Sequence, residues 1–122
     1  MVVADYNNNR VQLFDLDTFQ YISKFSSSNC RGVTFDENGL ALVSDYSNKR
    51  IIALSPDLSQ TTNIFGSGYI SGYPYHISFD IFNQRIIISD SSNELYFWSN
   101  FSFFIFILFL FSYFSTFIIL VS

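Results

Sequence analysis

One ten-residue stretch occurs twice, forty residues apart and without a gap. Val2-Val3-Ala4-Asp5-Tyr6-Asn7-Asn8-Asn9-Arg10-Val11 returns as Leu42-Val43-Ser44-Asp45-Tyr46-Ser47-Asn48-Lys49-Arg50-Ile51. A fixed period of this size restricts the chain to folds in which like units stack and bury their apolar faces on one another. A third, weaker copy is Ile87-Ile88-Ser89-Asp90-Ser91-Ser92-Asn93-Glu94-Leu95, where the arginine is missing. A second element repeats ahead of it: Arg31-Gly32-Val33-Thr34-Phe35-Asp36 returns as Tyr75-His76-Ile77-Ser78-Phe79-Asp80.

Short runs of Val, Ile, Phe and Tyr between clusters of Asn, Asp, Gly and Ser read as strands joined by tight turns. One full unit predicts a strand over Gly32–Asp36, a turn at Glu37-Asn38-Gly39, and a strand over Leu40–Ser44. The loop Asp45–Arg50 follows, then a strand over Ile51–Ser55 and another near Thr61–Phe65. Four antiparallel strands per forty-residue repeat is the signature of a β-propeller blade. The expected fold class is therefore all-β, an incomplete β-propeller of about two and a half four-stranded blades. The blade parts are 1–28, 29–68 and 69–99, and together they form one domain over 1–99. So short a ring does not close, which points to a fragment or truncated product with the remaining blades missing. Phe14, Phe35, Phe65 and Phe79 alternate with polar residues and are expected in the core between blades.

The repeated loop reads as structural chemistry. Asp5, Asp45 and Asp90 end a strand, where a carboxylate accepts hydrogen bonds from the following turn. Asn8, Asn48 and Asn93 stand where the chain turns back, and Asn tolerates the left-handed backbone better than other non-glycine residues. Arg10 and Arg50 open the next strand with a charge that pairs with a nearby Asp. Lacking that Arg, the Asp90 loop is expected to be held less firmly, so that Asp90 contributes less than Asp45.

The pattern Val-x-Asp-x-x-Asn-x-Arg-Val/Ile, preceded by Gly-Val-x-x-Asp-x-x-Gly, resembles the NHL repeat over roughly residues 1–99. Gluconolactonase- and senescence-marker-type propellers have similar blades. Two features depart from the pattern: Cys30 stands where the family usually has the proline kept at Pro74, and His76 replaces the glycine kept at Gly32. The resemblance implies a binding and scaffold module for a protein partner, not an enzyme. The alternative it leaves open is the remnant of a metal-dependent propeller enzyme of the gluconolactonase or amidating-lyase type.

Phe101 to Ser122 carries no charge, Gly or Pro. As a helix it would rise roughly 33 Å, enough to cross a hydrocarbon core of ~30 Å. The expectation is a helical transmembrane segment over 101–122, which makes the chain a single-pass membrane protein. The competing reading is that this Phe- and Ser-rich run is a gene-model artefact, the translation of a pyrimidine-rich stretch, leaving a cytoplasmic module. No Lys or Arg follows Arg85 to set orientation.

The net charge of −4 and six scattered basic residues disfavour RNA, because backbone binding rests on clustered Lys and Arg. The single cysteine, Cys30, allows no intramolecular disulfide. His76 is the sole histidine, and a metal site needs three or more convergent ligands. No cofactor is expected, and no nucleophile–base pair or Gly-x-Ser-x-Gly occurs. The candidate partner-binding residues are Tyr6, Tyr46, Arg31, Tyr75 and His76. In a propeller the loop after the second strand and the start of the first lie on one face, so these five are expected to share a patch. Tyr and Arg are the residue types enriched at interface hot spots.

Overall fold

The computed structural model describes residues 1–99, 102–107 and 117–121 as three antiparallel sheets. The first holds β1 (Val2–Asp5), β2 (Arg10–Phe14) and β3 (Tyr21–Ser26). The second holds β4 (Cys30–Phe35), β5 (Ala41–Asp45), β6 (Arg50–Leu54) and β7 (Thr61–Phe65). The third holds β8 (Pro74–Asp80), β9 (Arg85–Asp90) and β10 (Glu94–Ser99), continued by β11 (Ser102–Ile107) and β12 (Phe117–Val121). Every strand pairs with its sequence neighbour in the same sheet. The helical content described is two single 3₁₀ turns, Tyr6–Asn8 and Tyr46–Asn48.

The strand order follows the sequence reading, with small boundary shifts. The first strand of the second sheet begins at Cys30 rather than Gly32, and β5 runs through Asp45. Asp36 belongs to the turn, where its carboxylate accepts the N–H groups of Asn38 at 2.9 Å and Leu40 at 2.8 Å. Gly39 follows at φ 80°, a left-handed conformation that glycine adopts without steric cost. Of the helix expected over 101–122, residues 101, 108–116 and 122 lie outside the described residues. The described parts are the strands β11 and β12. Among the described residues no helix is long and apolar enough to cross a membrane.

The middle sheet is apolar on both faces because a sheet covers each one. Along β5 and β6, Leu42, Ile51 and Ala53 pack towards the third sheet with Ile70, Ile77, Ile86, Ile88 and Tyr96. Their neighbours Ala41, Val43, Ile52 and Leu54 face the other way, towards Val11, Cys30 and Leu58. The uninterrupted runs Ala41–Val43 and Ile51–Leu54 thus come from period-two alternation between two buried faces. Each fully buried Leu, Ile or Val contributes about 1.5–3 kcal/mol. The outer strands β3 and β7 are mostly exposed and carry Ser, Thr and Lys24, which discourage further edge pairing.

The phenylalanines expected in the core are not its main component. Phe65 and Phe79 pack only at the margin of the cluster between the second and third sheets, Phe14 is half-buried, and Phe35 is 39% exposed at the end of β4. Branched aliphatic side chains fill the narrow space between sheets, and Tyr96 is the large aromatic that is fully buried.

Strand β4 packs against both β1 and β8. At the β4–β8 seam the backbones meet at Gly32, where a Cβ would lie 2.9 Å from the Tyr75 carbonyl oxygen and 3.1 Å from the Ile77 nitrogen. The buried hydroxyl of Ser44 closes the seam, accepting the Gly32 N–H at 2.7 Å and lying 3.5 Å from the Tyr75 oxygen. Glycine is required here for close approach of two backbones, not for a turn.

Candidate functional site

The Asp-x-x-Asn-x-Arg loops have a common geometry. Arg10 Nε donates to Asp5 Oδ2 at 2.8 Å, and Asn8 Nδ2 donates to Asp5 Oδ1 at 2.9 Å. Arg50 and Asn48 repeat both bonds on Asp45, at 2.8 and 2.9 Å. The asparagine works through its side chain. The left-handed residue is the next one, Asn9 at φ 52° and Lys49 at φ 51°. A third full copy, Asp80-Ile81-Phe82-Asn83-Gln84-Arg85, escaped the sequence reading: Asn83 and Arg85 hold Asp80 at 2.8 and 2.9 Å, with Gln84 at φ 49°. It joins β8 to β9, the hairpin that corresponds to β4–β5, where Gln84 meets Glu37 at the opposite end from the other two. The motif is therefore a hairpin device that either end can use, and the fixed forty-residue offset conceals it.

The Asp90 loop differs from expectation. It is one residue shorter, and Asn93 itself takes the left-handed position at φ 61°, equivalent to Asn9 and Lys49 rather than to Asn8 and Asn48. Glu94 then stands where the other loops carry arginine. Asp90 is nevertheless well held: its Oδ1 accepts the N–H groups of Ser92 at 2.8 Å and Glu94 at 3.1 Å. Its Oδ2 accepts the Gly72 N–H and the Tyr96 hydroxyl, each at 2.8 Å. Tyr96 also bonds Glu94, and burial raises the phenol pKa above its usual value.

Acid lability follows from the loop carboxylates. Asp5, bonded by Arg10, and Asp80, bonded by Asn83, are held below their usual 3.8. The Thr18 N–H does the same for Asp15, and the Ser55 hydroxyl leads in holding Asp57 down to about 2. A carboxylate whose pKa is depressed by folding stabilises the fold above its unfolded value and loses that contribution as pH falls through the folded one. The melting temperature is expected to be level between pH 7 and about 5 and to fall steadily below about 4. A thermal melt series in matched ionic strength checks this, and a level profile down to pH 2 refutes it.

The linkers 27–29 and 66–73 and the loops 6–9, 46–49 and 91–93 share one rim. Hydrogen bonds join them in sequence: the Asn29 N–H to Asn9 Oδ1 at 3.0 Å, the Tyr46 N–H to the Asn29 oxygen at 3.3 Å, and Lys49 Nζ to the Ser71 oxygen at 2.8 Å. The Ser91 N–H extends the series to the Tyr73 oxygen at 3.0 Å. On this rim the Arg31 guanidinium lies over three tyrosine rings, 4.2 Å from Tyr6, 4.4 Å from Tyr46 and 4.6 Å from Tyr75. Register irregularities in β4 between Cys30 and Val33, and in β8 between Pro74 and His76, re-aim Arg31 and Tyr75 towards the cage. Each cation–ring contact is worth about 0.5–2 kcal/mol, depending on how far it is desolvated.

The five candidate residues thus come together: four form the cage, and exposed His76 stands beside Tyr75 with ring centroids 6.4 Å apart. Tyr73 and Lys49 extend the patch and were not anticipated. Tyr73 stacks on Tyr46 at 4.8 Å, and Lys49 Nζ lies 4.7 Å over the Tyr73 ring. The neighbouring Tyr75 hydroxyl, followed by burial, raises the Tyr46 phenol pKa.

Elsewhere the chemistry is quiet. Burial pushes the Cys30 thiol pKa up, which suppresses the reactive thiolate. Among the described residues no three His, Cys, Asp or Glu side chains are placed to hold a metal ion. A cavity of about 80 Å³ between the second and third sheets, lined by Asp36, Leu42, Phe79, Gln84 and Trp98 among others, holds only a few waters. Comparison with protein-family models and with curated proteins finds no match to this chain.

Proposed function

We propose that residues 1–99 form part of an NHL-type β-propeller acting as a non-enzymatic binding module, with the tyrosine–arginine rim as its protein-docking face. Three antiparallel sheets of repeated units support the propeller reading, since each buries an apolar face on its neighbour. One observation carries the function: tyrosines from three separate segments converge on Arg31 at a single rim. Rigid aromatic rings with polar tips around a guanidinium have the composition of an interface hot spot. The test is site-specific photo-crosslinking of the full chain in cells. A crosslinker at exposed Ser47, on the rim, is expected to trap a discrete protein partner. The same group at Phe82, 93% exposed at the far end, is expected to trap none. Equal labelling from both positions removes the rim from the proposal. Membrane attachment through 101–122 is a separate proposal: retention in carbonate-washed membranes supports it, and recovery in the soluble phase refutes it.

A further inference from the structure

We infer that the Arg31 cage is a carboxylate-recognition site and that the rim's partner presents an acidic peptide segment. This rests on the protein-docking reading and specifies its ligand. The chain has four arginines, and three of them are neutralised internally: Arg10 by Asp5 at 2.8 Å, Arg50 by Asp45 at 2.8 Å and Arg85 by Asp80 at 2.9 Å. Arg31 has no carboxylate and no hydrogen-bond acceptor among the described residues. Its Nε is sealed from solvent without a partner, while three rings hold the guanidinium in place. The rings surround the cation, and the Nη groups, which are not sealed with Nε, are the in-plane donors left to bind a carboxylate. A guanidinium already ordered by packing loses little further freedom on binding.

The charge pattern selects a carboxylate over a phosphate. Phosphate sites gather several cations, whereas here the other cation of the patch, Lys49, is already bonded to the Ser71 oxygen. Asp5 and Asp45 in the adjoining loops are matched by Arg10 and Arg50, so the rim holds no excess of cations to gather a polyphosphate backbone. One acidic side chain in a short peptide matches a single fixed guanidinium flanked by tyrosine rings.

Fluorescence polarisation with the full chain tests this, using labelled hexaglutamate and hexaglutamine peptides and a six-nucleotide oligouridine. Hexaglutamate is expected to bind at least ten-fold more tightly than hexaglutamine and to weaken as salt rises. Arg31→Gln is expected to remove the difference, and Arg31→Lys to restore only part of it, because an ammonium lacks the planar fork. Asn7→Glu, which adds a charge to an exposed loop position beside Tyr6, is expected to weaken hexaglutamate several-fold without moving the melting temperature. That variant keeps the test decisive if Arg31→Gln fails to fold. Equal affinity for the two peptides, hexaglutamate binding indifferent to both substitutions, or Arg31-dependent binding of oligouridine alone overturns the carboxylate assignment. Crosslinking of a protein from Ser47 that persists in Arg31→Gln leaves the docking face intact while this assignment falls; loss of rim-specific crosslinking in the unmodified chain removes the docking face itself.

Discussion

Asp45→Ala and Asp90→Ala are each expected to destabilise the folded chain by about 2–4 kcal/mol, and by similar amounts. Asp45 is fully buried and accepts from Arg50 and Asn48, so its removal leaves two donors without their acceptor. Asp90 is 7% exposed and receives four hydrogen bonds, one of them from the Gly72 N–H in the linker before β8. The same loop geometry is cheaper to break where water can compensate. The carboxylate side chains of Asp5 and Asp80 are 23% and 16% exposed, and their alanine variants are expected to cost less than either buried one. Urea midpoints of the four variants of the full chain, at constant m-value, provide the comparison. A cost at Asp45 no larger than at Asp5 would show that the motif's value lies in the turn and not in burial. A small effect at Asp90 alone would restore the expectation that a loop without arginine is weak.

That expectation shows where a repeat pattern stops being informative. The Asp-Asn-Arg spacing located two loops and their strands correctly, because their side chains bond within six consecutive residues. Half of the support of Asp90 comes from Gly72 and Tyr96, 18 and 6 residues away, and no local pattern announces it. The copy at Asp80–Arg85 is written in the same letters, yet it joins a different hairpin and stands outside the forty-residue offset. Alternation made the strands legible and the two-faced burial of β5 and β6 visible as unbroken apolar runs. It could not say which Phe would be left at a margin, since this depends on where the neighbouring sheet ends. The rim was legible as a set of residues. What the letters lacked was the meeting of three rings on one cation, which depends on two register irregularities and on stacking between sheets.

Gly32→Val is expected to be at least as damaging as loss of Asp45, because the seam it fills is made of backbone. A Cβ at Gly32 would stand 2.9 Å from the Tyr75 oxygen and 3.1 Å from the Ile77 nitrogen, and neither can rotate away as a flexible side chain would. The strands must part, which breaks the Ser44 bridge and loosens the contact between the second and third sheets. Overpacking of this kind costs about 1–3 kcal/mol for a single added group and more where backbone must move; Gly32→Ala belongs in the lower range and Gly32→Val above it. Gly39→Ala is the control. Its added Cβ meets only Pro56 at 3.9 Å, so the expected cost is the left-handed penalty of about 1–2 kcal/mol, confined to its own turn. Hydrogen exchange separates the two mechanisms: Gly32→Val should speed exchange along both β4 and β8, and Gly39→Ala only around Asp36–Leu40. The displacement should also reach Arg31 and Tyr75, which flank the seam, so Gly32→Val is expected to weaken partner capture from Ser47 while Gly39→Ala spares it. A Gly32→Val chain with unchanged stability and unchanged exchange along β8 would mean that these two strands do not meet, and the stacking of the second sheet on the third would fall with them.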